Sequence, residues 1–149
     1  MKTTMVRHTL TFAAAISVCG VLAACGLNKI AQCNKLIEKV NTAQTTAVDG
    51  IKKLDGKDDS KDLADLATSF DTMKTAIVGV DLNDDKLKGL QKDYAAAIDK
   101  TSAAARAQKA ALDKSDAAGA AAANTDLQAG IAAQSKVIDG INGYCGGTP

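Results

Sequence analysis

The sequence predicts an all-α protein: an up-down-up-down four-helix bundle with coiled-coil-like seams, its N- and C-terminal helices joined by a disulfide. Three observations predict it. Apolar residues recur at alternating steps of three and four over most of the chain. The only proline of 149 residues is the last one, and Ala, Leu, Lys and Asp are frequent, so little interrupts a helix. Two of the four cysteines occupy seam positions near opposite ends of the chain.

In the first helix, Ile30, Cys33, Ile37, Val40, Gln44, Ala47, Ile51 and Leu54 step by three and four, a seam with one polar member. The second runs through Leu63, Leu66, Phe70, Met73, Ile77 and Val80, with N-cap candidates in Asp58 to Ser60 and Gly79 marking its end. Asn83 is expected to cap the third helix, with Asp84 and Asp85 at the positive end of the dipole. Its inner face carries Leu87, Leu90, Tyr94, Ala97, Ile98, Thr101, Ala104, Ala105, Ala111 and Leu112. The fourth presents Leu127, Ile131, Gln134, Ile138, Ile141 and Cys145. Its start is ambiguous: Ser115, Asp116 and Gly119 offer a break, and Thr125-x-x-Gln128 reads as a capping box, while alanine would carry a helix straight through.

Residues 1–24 read as a leader to be set apart from the fold. Lys2 and Arg7 precede a mostly apolar stretch, Leu10 to Ala24, about 15 residues long and short of the roughly 20 that span a bilayer. It ends in Leu22-Ala23-Ala24-Cys25, which resembles the lipobox of bacterial lipoproteins. The resemblance covers only this leader and its boundary. It implies cleavage before Cys25, lipidation of the Cys25 thiol and acylation of the new N-terminus. Gly26, rather than Asp, implies outer-membrane sorting in an envelope with two membranes, on either face of that membrane. Residues 25–28 are then a lipidated anchor with a short tether, 29–145 the bundle and 146–149 a tail. His8 and Cys19 leave with the leader, and loss of Lys2 and Arg7 leaves 16 basic against 17 acidic side chains.

An exported chain meets an oxidising compartment, so the remaining pair, Cys33 and Cys145, reads as a disulfide. Closing a loop of about 112 residues would stabilise the fold by up to ~4–5 kcal/mol in the chain-entropy model. The bridge also decides the helix count. One helix from Asn83 to Gly143 would be roughly 90 Å long and would leave Cys145 far from Cys33. Four alternating helices, with a break between Asp113 and Gly119, bring both cysteines to one end. That end is the foot, beside the anchor and the turn at Val80 to Asn83. Asp55 to Asp62 and Ser115 to Gly119 form the distal tip, where an envelope protein partner would touch.

A mature chain without histidine lacks the usual means for haem, zinc and His-dependent nucleophile chemistry. Asp81, Asn83 and Asp85 mimic the start of an EF-hand loop, but Lys86 and Lys92 stand where Gly and the bidentate Glu belong. The near-zero charge balance argues against nucleic acid as a partner, and no cofactor or metal is implied. Gln44, Thr101 and Gln134 are candidates for a polar core layer, which fixes register or lines a pocket. The expectation is a non-enzymatic, membrane-anchored envelope lipoprotein that acts as a structural or interaction module. The alternative is a lipoprotein that holds a small apolar or lipid-like ligand in its core.

Overall fold

The structure, a computed structural model, describes residues 16–51 and 59–146, with side chains from Leu27 onward apart from Gly50 and Ile51. The described residues form four helices: α1 (Ile16–Ile51), α2 (Asp59–Val78), α3 (Asp85–Asp113) and α4 (Ala117–Cys145). They make the expected four-helix bundle. The three residues expected as a tether, Gly26 to Asn28, lie inside α1. Residues 1–15, 52–58 and 147–149, which hold the start of the leader, most of one tip loop and the tail, lie outside the described residues.

The core is thin and follows the expected spacing on α2 and α3, whereas on α1 it is Leu36 and Ala43 that are buried and the expected Ile37 and Gln44 are only half-buried. Leu36, Ile77, Leu87, Tyr94, Ile98 and Ile141 are its largest fully buried apolar side chains. Each aliphatic member contributes about 1.5–3 kcal/mol by leaving water. Alanines fill the remaining depth, with Ala104 and Ala105 on α3 buried against neighbours such as Leu127. Small side chains let helix axes approach, and α3 accordingly packs most closely on α4 and α2. α1 rests mainly on α2 and touches α3 and α4 lightly.

The Cys33–Cys145 disulfide is present, with Cα atoms 5.6 Å apart, and ties the lightly packed α1 to α4. The break between α3 and α4 falls at Lys114 to Asp116. Ser115 turns the chain with a left-handed φ of 57°, and the Asp116 side chain caps α4 by accepting from the Gly119 amide at 2.9 Å. The Thr125-x-x-Gln128 pattern is silent: Thr125 is mid-helix and its hydroxyl donates to the Ala121 carbonyl. α2 ends before Gly79, as expected, with the Gly79 amide donating to the Thr75 carbonyl.

Several expected positions move. Asp84, not Asn83, is the N-cap of α3; its carboxylate accepts from the Leu87 amide at 2.9 Å. Ile30 is 56 % exposed, because α1 buries Cys33, Leu36, Val40, Ala43 and Ala47, and the step back from Cys33 swings Ile30 onto the flank. Ile131 is exposed as well, since its neighbour Gly130 faces α3 and turns the next side chain outward. Leu112 lies partly outside for the same reason, beside buried Ala111.

Candidate functional site

The densest polar construction among the described residues lies at the foot. Gln32 of α1 is buried, and its carbonyl oxygen accepts from the backbone amides of Asn83 and Asp84, at 2.5 and 2.9 Å. Its own amide donates to Asn28 at 3.1 Å. A side chain from one helix thus satisfies amides at the start of another, which would otherwise lack partners. Lys35 donates to the Asp81 carbonyl at 3.0 Å, and Gln91 of α3 donates to the carbonyls of Ile77 and Val80 at 2.8 and 2.7 Å. The α2–α3 turn is therefore held from both sides.

Tyr144 completes the foot. Its hydroxyl donates to Asp84 Oδ2 at 2.9 Å, while the Lys29 ammonium lies 4.0 Å from the centre of its ring. The amide of Leu87, and then the Tyr144 hydroxyl, hold the Asp84 carboxyl below the usual carboxylate range. The same bond to Asp84 raises the Tyr144 hydroxyl. The Tyr144 hydroxyl joins α4 to the cap of α3. The foot thus connects α1, the α2–α3 turn and α4 around the disulfide.

Of the three residues expected in a polar layer, two meet. Gln134 donates from Nε2 to Thr101 Oγ1 at 2.7 Å, and Thr101 donates to the Ala97 carbonyl at 2.9 Å. Both side chains are buried. Gln44, half-buried on α1, faces Tyr94 instead. Burial pushes the Tyr94 hydroxyl up to about 12, and nearby Gln44 offsets part of that rise without reaching hydrogen-bond geometry, so the phenol oxygen is buried without a partner. The Thr101–Gln134 pair spends its hydrogen bonds on itself and on the helix, which is how a register-fixing layer behaves.

A second polar junction was not anticipated. Ser102, buried on α3, donates to Asp71 at 2.7 Å and lies 3.1 Å from the Ala67 carbonyl. Arg106 pairs with Asp71 and donates to the Ser102 hydroxyl. Arg106, and then Ser102, lower the Asp71 carboxyl from its ordinary value. At the tip, Asp113 accepts from Ser60 and Lys109, both at 2.6 Å, and Lys109 followed by Ser60 lowers its carboxyl. These bonds stitch α2 to α3 and quieten a carboxylate at the negative end of the α3 dipole.

The surface holds an open groove of about 450 Å³ between α3 and α4, lined by alanines with Lys100 and Asp126 at its edges. A smaller one of about 380 Å³ lies at the tip between α2 and α3, where Leu63, Leu66 and Leu112 flank Gln108. Among the described residues, no three His, Cys, Asp or Glu side chains converge as metal ligands. The residues of the EF-hand mimic serve other ends: Asp85 pairs with Lys88 and the Asn83 amide is bonded to Gln32. No helix among the described residues is long and apolar enough to cross a membrane. Set against protein-family profiles, curated proteins and solved structures, the chain matches none, so the reading of its function rests on its own residues.

Proposed function

We propose that this protein is a lipid-anchored lipoprotein of the bacterial envelope that acts by contact, as a spacer, adaptor or assembly part, and not as an enzyme. The observation that carries the reading is the place of Cys25. It ends the lipobox-like Leu22-Ala23-Ala24-Cys25 and stands on α1 eight residues before Cys33. Acylation there anchors the bundle at its disulfide-bonded foot, with the tip directed away from the membrane. Two or more acyl chains, at about 0.8 kcal/mol per buried methylene, make such an anchor stable where one chain does not.

The bundle suits a contact role. Its polar groups are largely bonded to one another, and its core is closed by small side chains and a covalent staple. Nothing specific favours the alternative of a core ligand, because Thr101 and Gln134 satisfy each other. The tip, with Ser60, Asp113 and the Ser115 turn, remains the proposed surface for an envelope partner. The gene product is accordingly expected in the outer membrane, facing the periplasm or the exterior.

Intact mass of the chain extracted from its native membrane tests the reading. A mass that begins at Cys25 and carries acyl additions, with two alkylatable thiols only after reduction, supports it. A mass with the leader removed and no acyl chain makes the protein an unanchored exported domain.

A further inference from the structure

We infer that the turns of α1 that follow Cys25, from Leu27 to Ala31, form a membrane-docking surface that seats the foot of the bundle in the phospholipid headgroup layer. The inference rests on the proposed acylation of Cys25. Leu27 is 67 % and Ile30 56 % exposed, and no bundle helix covers them. Ala31 beside them is exposed too.

The exposed face of α1 changes character within a short distance. Leu27, Ile30 and Ala31 are apolar, whereas Asn34, Glu38 and Asn41 follow on the same outer side and are polar. Lys29 turns inward over the Tyr144 ring, and Asn28, the one exposed polar residue of the stretch, lies at the patch's edge with its side chain turned to Gln32. The patch therefore ends at a sharp boundary between Ala31 and Asn34.

That boundary lies where an anchored helix needs it. α1 is continuous through Cys25, so Ala31 stands only about 9 Å along the axis from the anchor. Interfacial helices bury apolar side chains roughly 5–10 Å into the headgroup and acyl boundary. Acyl chains on Cys25 hold Leu27 and Ile30 within that layer, and Asn34 and Glu38 stand in water. A rigid helical connection replaces a slack tether, and the bundle is held at a defined height above the surface.

The chain contains no tryptophan, so single reporters read depth directly. L27W, I30W and E38W variants of the full chain, purified from membrane, are placed in phosphatidylethanolamine–phosphatidylglycerol vesicles with brominated or ordinary acyl chains. Intact mass of each sample records its acylation. The expected result is a blue-shifted I30W and L27W emission quenched roughly twofold or more by bromine, with E38W, about 12 Å further along α1, unquenched. E38W also controls for the affinity of tryptophan itself for interfaces.

Acylated I30W and L27W that stay unquenched overturn the docking surface and leave the anchor standing. Equal quenching of E38W overturns it as well, since the helix would then have no depth limit. A blue shift of I30W that needs no vesicles and grows with protein concentration assigns the patch to a second copy of the chain and overturns it too. Without acyl mass the anchor fails: quenching of I30W but not E38W then keeps the docking surface, and its absence removes both.

Discussion

Gly130 of α4 faces Thr101 of α3 so closely that a Cβ built on the glycine would lie 2.5 Å from Thr101 Oγ1 and 3.1 Å from its Cα. This close approach of α4 to α3 sits one turn along α4 from Gln134, which donates to the same Thr101 hydroxyl. G130A is expected to destabilise the fold by about 1–2 kcal/mol. Overpacking costs ~1–3 kcal/mol, which outweighs the gain of up to ~1 kcal/mol from replacing a helical glycine. G89A in α3, where the added methyl meets nothing within 4 Å, is the control and is expected to gain stability. Denaturant midpoints of the two variants check the pair.

Breaking the buried pair from one side leaves a polar group without a partner. T101V is expected to cost about 1–3 kcal/mol through the stranded Gln134 amide. T101V together with Q134L is expected to recover most of that loss, because nothing polar is then left stranded. A double-mutant cycle in urea measures the coupling, and purely additive losses would refute it.

Tyr94 sets an alkaline limit. Its folded value, pushed up to about 12, lies above the ordinary 10, so the stability it contributes is complete below pH 10 and is lost as pH rises toward 12. A shift of that size corresponds to about 2–3 kcal/mol. Y94F removes an unpartnered buried hydroxyl and is expected to stabilise the protein at pH 7 by up to ~1 kcal/mol. It is also expected to flatten the alkaline loss, leaving only the part due to Tyr144, whose hydroxyl is raised by Asp84. Tyrosinate absorbance against pH, with unfolding measured alongside, follows both.

On the acid side the carboxyls of Asp71, Asp84 and Asp113 lie below their ordinary values in the fold. Their contribution is present above the unfolded carboxyl value near ~3.9 and is lost as pH falls through the lower folded values. D84N retains an acceptor for the Leu87 amide, since Asn is also a good N-cap, but cannot titrate. Its thermal stability is expected to fall less steeply below pH 4 than that of the parent. An unchanged slope would remove Asp84 from the account.

Gln32 is expected to be the most sensitive polar position of the foot. Q32L leaves the Asn83 and Asp84 amides without their acceptor and should cost about 1–3 kcal/mol. Hydrogen exchange at those two amides should accelerate more than at the buried amides of α3. Uniform acceleration along α3 would instead report global loss of stability.

Much of the architecture is legible along the chain because helix periodicity is local. The seam through Phe70, Met73 and Ile77 and that through Leu87, Leu90, Tyr94 and Ile98 are buried as their spacing implies. The disulfide adds one long-range constraint and requires a break between α3 and α4, but a break at Ser115 or at the rival capping box at Thr125 meets it equally, and the tertiary structure places it at Ser115. The foot network was not legible. Gln32 carries no mark among other polar residues on α1, and its role needs the α2–α3 turn beside it. Ser102 likewise reads as one more small residue until Asp71 and Arg106 meet it from two helices.

The sequence by itself determined the helix count, the alternation of direction, the cysteine pair and most of the apolar seams of α2 and α3, since each follows from repeats of three and four residues and from loop closure. Only the tertiary structure decided that Thr101 pairs with Gln134 and not with Gln44, that Asp84 caps α3, and that Ile30 faces outward. Those outcomes depend on the rotation of each helix about its axis and its height against its neighbours. A change of about 100° in rotation or 1.5 Å in height, one residue's worth, exchanges a buried position for an exposed one.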